Sequence, residues 1–203
     1  MASFEAVTAV SSAIINVLES QYLPEDFEGN QLEFKVYVAK DFATPMDAGV
    51  SVFLYRIYPN GTHRPPSGRL DEFGRRYRTQ LPLDLHFLLT AWAKDASLQH
   101  TIAGWMMRVI EDVPSFSAGL LNSTFADVFH ADETVEISLT ELSTEELFRI
   151  WEVIGEKAYQ LSIPYVARTV RIESRRLAGD GAAVQERVFP VALQPIVSTV
   201  PRS

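Results

Sequence analysis

Proton transfer and metal binding near neutral pH fall first to histidine, and the chain has four: His63, His86, His100 and His130. No two of them share metal-ligand spacing, and no H-E-x-x-H pair occurs. His86 lies in an alternating apolar stretch, where a structural histidine is commoner than a ligand, and His100 falls on a helix surface. Asp84 could be a buried acid, but strand alternation favours turning it to solvent or to a neighbouring subunit. An enzyme acting on a small ligand or by hydrolysis would have to use Asp84, His86 and His130, united in one deep pocket. The chain has no cysteine, which removes thiolate catalysis, disulfides and Cys-ligated zinc and fits a reducing cytoplasm. Phosphate-binding glycine motifs and the G-x-S-x-G serine motif are absent as well. No catalytic set, metal or cofactor is expected.

A different chemistry is concentrated in residues 63–78. Arg64, Arg69, Arg75, Arg76 and Arg78 stand among Pro65, Pro66, Gly68 and Gly74, and outweigh Asp71 and Glu72 by three charges (5 − 2 = +3). The whole chain carries a net charge of −8 and has a pI near 5.0. A basic loop can hold an anion, a nucleic acid or an acidic protein surface. On an acidic protein the third is favoured, and no nucleic-acid partner is expected. The loop is too long for a tight hairpin, and such loops in compact domains are functional or flexible. The tail offers a second contact surface. Val188, Phe189, Val191, Leu193 and Ile196 form short apolar patches broken by Pro190, Pro195 and Pro201. Proline disfavours a helix there, so these patches are expected to be extended and able to add as a strand to another surface.

The elements that would position these groups follow from periodicity. Phe4, Val7, Val10, Ile14 and Leu18 predict an amphipathic helix over 3–20, with Ser3 as a cap. Residues 31–39 alternate, with Leu32, Phe34, Val36 and Val38 on one face and Tyr37 on the other. Residues 49–58 are more apolar and predict a strand covered on both faces, ended by the turn at Pro59, Asn60 and Gly61. Residues 79–93 predict another strand, with Pro82 at an edge or a beginning. A helix opening at Asp95 or Ser97 carries Leu98, Ile102, Trp105, Met106, Val109 and Ile110 on a wide apolar face. Residues 118–130 are ambiguous, and Val135, Ile137 and Leu139 predict a strand.

The most fully specified element follows. Ser143 and Glu146 form a capping box, and Leu142 and Leu147 a hydrophobic staple. Leu147, Ile150, Trp151 and Ile154 make one apolar face, expected to be buried, and Gly155 can end the helix. A strand over 164–174 comes next, with Val166, Val170 and Ile172 on one face. The expected architecture is α+β, with helices packed on one mixed sheet over residues 1–175 and an extended C-terminal arm over 176–203. Apolar runs are too short for a transmembrane helix, so no membrane insertion is expected. The first residues lack the pattern of a secretory signal.

Three stretches carry a family resemblance: residues 50–64 (VSVFLYRIYPNGTHR), 81–93 (LPLDLHFLLTAWA), and 142–151 (LSTEELFRIW) with 161–172 (LSIPYVARTVRI). In order and spacing they resemble the cap, or tail-terminator, proteins of extracellular contractile injection systems of the Photorhabdus virulence cassette and antifeeding prophage type. The resemblance covers about residues 5–174. The family usually has an asparagine where Ser51 stands and an arginine–asparagine step where this chain has Arg64 and Pro65. The resemblance implies a phage tail-terminator-like fold and a non-enzymatic role. Such a subunit forms a six-fold ring on the last layer of inner tube and sheath, ends their growth, and anchors the sheath at the end distal to the baseplate. The implied partners are other copies of the chain and the tube and sheath proteins. The implied place is the cytoplasm during assembly, within a phage-tail-like particle that is either released or kept in the cell.

Overall fold

A computed structural model describes residues 2–62, 70, 73–154, 159–174 and 176–178. The helices are α1 (Ala6–Gln21), α2 (Ala96–Asp112), α3 (Ala118–Leu121) and α4 (Thr144–Ile154). The strands are β1 (Glu33–Tyr37), β2 (Gly49–Pro59), β3 (Leu81–Trp92), β4 (Ser115–Ser117), β5 (Thr134–Leu139) and β6 (Ser162–Ile172). The strands form one mixed sheet in the order β1-β2-β3-β6-β5-β4. β1 runs parallel to β2, and the other neighbours are antiparallel. The α+β architecture with helices on one mixed sheet is therefore observed. The pattern did not resolve β4, which is three residues long and has no room for an alternation, nor the 3-10 turns at Pro24–Phe27 and Ala39–Ala43.

The main core lies between one face of the sheet and α1, α2 and α3. α1 presents Ala6, Ala9, Ala13, Val10, Ile14 and Leu18, and its small residues bring its backbone close to the sheet. α2 adds Ile102, Met106 and Ile110, and the Asp95 carboxylate accepts the Leu98 N–H at 2.9 Å to cap it. From the sheet come Val50 and Val52, then Leu85, Phe87 and Leu89, then Tyr165 and Ala167. α1 begins at Ala6 rather than Ser3. Ser3 Oγ instead accepts the Glu5 N–H, and Phe4 lies before the helix with its ring exposed.

The opposite face holds a second, smaller cluster. Tyr37, Phe42, Met46, Leu88, Trp92 and Trp151 are its buried members, with Phe53, Tyr55, Leu147, Ile150 and Ile154 packed around them. The Trp151 ring meets Phe42 at 5.5 Å edge to face, and Trp92 donates Nε1–H to Ser51 Oγ at 2.8 Å. Ser51 thus satisfies a buried indole at a position where an exposed strand residue would be idle. The capping box of α4 is formed: the Ser143 N–H donates to Glu146 Oε2 at 3.0 Å and the Glu146 N–H to Ser143 Oγ at 3.2 Å. Of the four apolar face residues, Trp151 is 5% exposed, whereas Leu147, Ile150 and Ile154 are half-buried. The reason is that α4 covers only one end of this face and its own outer side is exposed among the described residues. Gly155 lies outside the described residues.

Three strand expectations need correction. Along residues 31–39, Leu32 just before β1 and Phe34 on it reach the main core and Tyr37 the second cluster, but Val36 and, just after the strand, Val38 are exposed, because the helical layer over this edge strand stops at Phe34. β2 is covered on both faces in its first half only, and Ile57 and Tyr58 are exposed. On β6, Val166 and Val170 do not share a face with one another. Leu83 pairs with Val170 and Leu85 with Ala167, so β6 advances three residues while β3 advances two, and the bulge reverses the alternation.

Candidate functional site

At the bulge the left-handed residue is Thr169, at φ 57°, a conformation that a β-branched residue rarely takes. Its N–H has lost a ladder acceptor and donates instead to Asp84 Oδ1 at 2.9 Å. Asn60 Nδ2 donates to the same carboxylate, at 3.2 Å to Oδ1 and 3.1 Å to Oδ2. Asn60 also donates its N–H to the Pro82 carbonyl at 2.9 Å, and accepts the Thr62 N–H on its side chain at 3.2 Å. Asp84 is thus a structural carboxylate at a three-way junction. It ties the start of the basic loop to the bulge of β6, and Pro82 takes the second place in a central strand.

The histidines go separate ways. His86 lies half-buried beside Tyr55, with ring centroids 6.0 Å apart. Burial holds its pKa below the usual imidazole value, and the nearby Arg56 charge adds to this. His130 sits in the loop after α3, where its N–H donates to Glu133 Oε2 at 2.7 Å and its buried Nε2 has no partner among the described residues. His100 is exposed on α2, and His63 lies outside the described residues. Three surface hollows line the β1 edge, the β5–β6 end and the start of α2. None of these three is lined by Asp84, His86 or His130. Among the described residues no group of His, Asp and Glu is placed to hold a metal ion. Nor is any helix there long and apolar enough to cross a membrane.

The described part of the basic loop is placed at one end of the sheet. Arg78 donates its N–H to the Arg176 carbonyl at 3.0 Å, and Ala178 donates to the Arg76 carbonyl at 2.7 Å, with Tyr77 opposite Leu177. Leu70 bridges back to Arg76. These bonds continue the β3–β6 pairing past Leu81 and Ile172 as a narrow ribbon. The first residues assigned to the arm, 176–178, therefore lie against the basic segment. The ribbon is basic and apolar at once. Phe73 is 73% exposed with the Arg75 guanidinium 5.2 Å above its ring, while Leu70 and Leu177 are also exposed. Pairing of the two segments had no signal in the sequence, since neither shows alternation. Arg64, Arg69, Val188, Phe189, Val191, Leu193 and Ile196 lie outside the described residues.

Two of the solved structures that the chain matches are tube terminators. One is an extracellular contractile injection system, the PVC sheath/tube terminator in its extended state, at a TM-score of 0.57 and 16% identity over 94% of this chain and 65% of that one. The other is the anti-feeding prophage cap, described as the AFP tube terminating cap, at a TM-score of 0.58 and 16% identity over 90% of this chain and 60% of that one. The fold is shared, and this chain spans somewhat under two thirds of the length of each. No curated protein matches the chain. The family model for the Pvc16 N-terminal domain matches residues 9–186, most of the sequence, and the chain belongs to that family.

Proposed function

We propose that this protein is a structural, non-enzymatic cap subunit of a contractile injection system. It ends polymerisation of the inner tube and sheath and anchors the sheath at the end distal to the baseplate. The observation that carries this reading is the family match over residues 9–186, on a fold shared with two tube-terminating caps. The form of the molecule supports it. Its polar junction at Asp84 holds a bulge rather than facing a cavity, and its exposed basic and apolar groups gather on a ribbon suited to protein contact.

The unit of action is a homo-hexameric ring set on the last layer of tube and sheath, assembled in the cytoplasm as part of a phage-tail-like particle. A closed ring needs two different surfaces on each copy. The test is electron microscopy of particles made with and without the chain. Without it, tubes should be of uncontrolled length and sheaths should detach. Particles of normal length that contract normally would overturn the proposal.

A further inference from the structure

Two unlike surfaces lie at opposite ends of the sheet. The ribbon follows Ile172 at the end of β6, and carries Arg76, Arg78 and Arg176, none of which has an ion-pair partner among the described residues. At the other end Tyr159 precedes the start of β6 and packs edge to face on Phe148 of α4 at 5.3 Å. α4 turns Leu147, Ile150, Trp151 and Ile154 to the sheet, which leaves Glu145, Phe148, Glu152 and Val153 facing outward. Val153 is 85% exposed, and Phe148 and Tyr159 are also exposed. Glu145 already pairs with Arg149 of the same helix at 2.6 Å, but Glu141 and Glu152 have no ion-pair partner among the described residues.

Among the described residues, each surface joins exposed apolar groups to charge of one sign without an ion-pair partner, and the signs are opposite. Strand β6, 11 residues long, separates them by roughly 30 Å. They therefore cannot meet within one molecule. We infer that the ribbon at residues 70, 73–78 and 176–178 of one copy docks on the outer face of α4 of a second copy. The contact is head-to-tail, because two different patches meet, and repeated contacts of that kind close into a ring if the rotation between copies allows it. Phe73 and Leu177 would cover Val153 and Phe148, while Arg76, Arg78 and Arg176 would face Glu141 and Glu152. This deepens the capping proposal and rests on its ring, but it names the faces that make it.

The test is charge reversal with rescue, read by mass photometry and sedimentation of the full chain. Arg76→Glu with Arg78→Glu should weaken self-association about tenfold or more, and so should Glu141→Arg with Glu152→Arg. The chain carrying all four reversals should recover it, as should a one-to-one mixture of the two reversed chains. Melting curves of every variant should match the parent, since all four side chains are exposed. Because the chain has no cysteine, Phe73→Cys with Val153→Cys gives a second measurement, a disulfide-linked ladder under oxidation. Loss of association without rescue, or no ladder, would overturn the proposal. A parent chain that stays monomeric and cross-links only to a tube or sheath protein would overturn it too, and would leave the capping function standing. Association through these faces without any effect on tube length would instead sink the capping reading and keep the interface.

Discussion

Asp84 and Thr169 are 85 residues apart in sequence, and the carboxylate of one accepts the backbone N–H of the other at 2.9 Å. The bond exists because the β6 bulge puts Thr169 in the left-handed region, where its N–H no longer points at a strand neighbour. Asn60 donates to the same carboxylate, so one acid fixes both the bulge and the start of the basic loop. Asp84→Ala should cost about 1–3 kcal/mol in urea unfolding, the usual effect of stranding a partly buried donor. The double exchange Asp84→Asn with Asn60→Asp should recover most of that loss. Asn at 84 can still accept from Thr169 while its amide donates to Asp at 60. A double variant no more stable than Asp84→Ala would refute the junction.

Gly49 opens β2 at φ 145°, and a Cβ built there would lie 1.9 Å from the Glu33 carbonyl oxygen. Glu33 is its partner in the β1–β2 register. The near atom is backbone, so no side-chain rotation relieves the clash. Gly49→Ala should therefore detach or shift β1, at a cost of about 3 kcal/mol or more. Hydrogen exchange should locate the damage at residues 33–37 and leave α2 and β3 protected. Uniform protection across the sheet would contradict the assigned register.

How much of this was open to sequence reasoning depended on whether a residue's neighbours were local. The capping box of Ser143 and Glu146 spans one helical turn, so its residues announce it. The alternation of Leu83, Leu85, Phe87 and Leu89 likewise declares its face. Val166 was misassigned because the bulge that reverses β6 is set by a contact with Asp84, on another strand. Leu147, Ile150 and Ile154 have the right spacing for burial. Their half exposure reflects how little sheet lies beneath α4 and how exposed its outer side is among the described residues, which periodicity does not encode. The arginines of the basic loop were visible as charge, but their pairing with residues 176–178 rests on backbone bonds that leave no pattern in side chains.

His86 makes stability depend on pH in a predictable direction. Burial and the Arg56 charge lower its pKa in the folded chain, so the neutral ring is favoured there relative to the unfolded state. Its contribution is fully present above the unfolded value of about 6.5 and is lost as pH falls through the lower folded value. The midpoint of urea unfolding should drop between pH 7.5 and 5.5, and the drop should be smaller in His86→Gln. Carboxylates contribute to both chains alike over that range, so the difference between the two slopes isolates the histidine. Identical slopes, or a steeper one in the variant, would reject the assignment.

The last prediction concerns the helix that would receive the ribbon. Ser143 Oγ accepts the Glu146 N–H, and the Glu146 carboxylate accepts both the Ser143 N–H and its hydroxyl, at 2.7 Å for the latter. These bonds hold the pKa of Glu146 below the usual carboxylate value, the hydroxyl bond first. Ser143→Ala should cost about 1 kcal/mol, the ordinary worth of an N-cap. α4 contributes one buried residue, Trp151, to the second cluster and nothing to the main one, so the loss should fall on this helix alone. Trp151 fluorescence should then shift before the circular dichroism of the whole chain changes, and self-association should weaken in parallel with the fluorescence. If fluorescence and global unfolding remain coincident, α4 is cooperative with the main core. If α4 frays and association is unchanged, its outer face is not what the next copy holds.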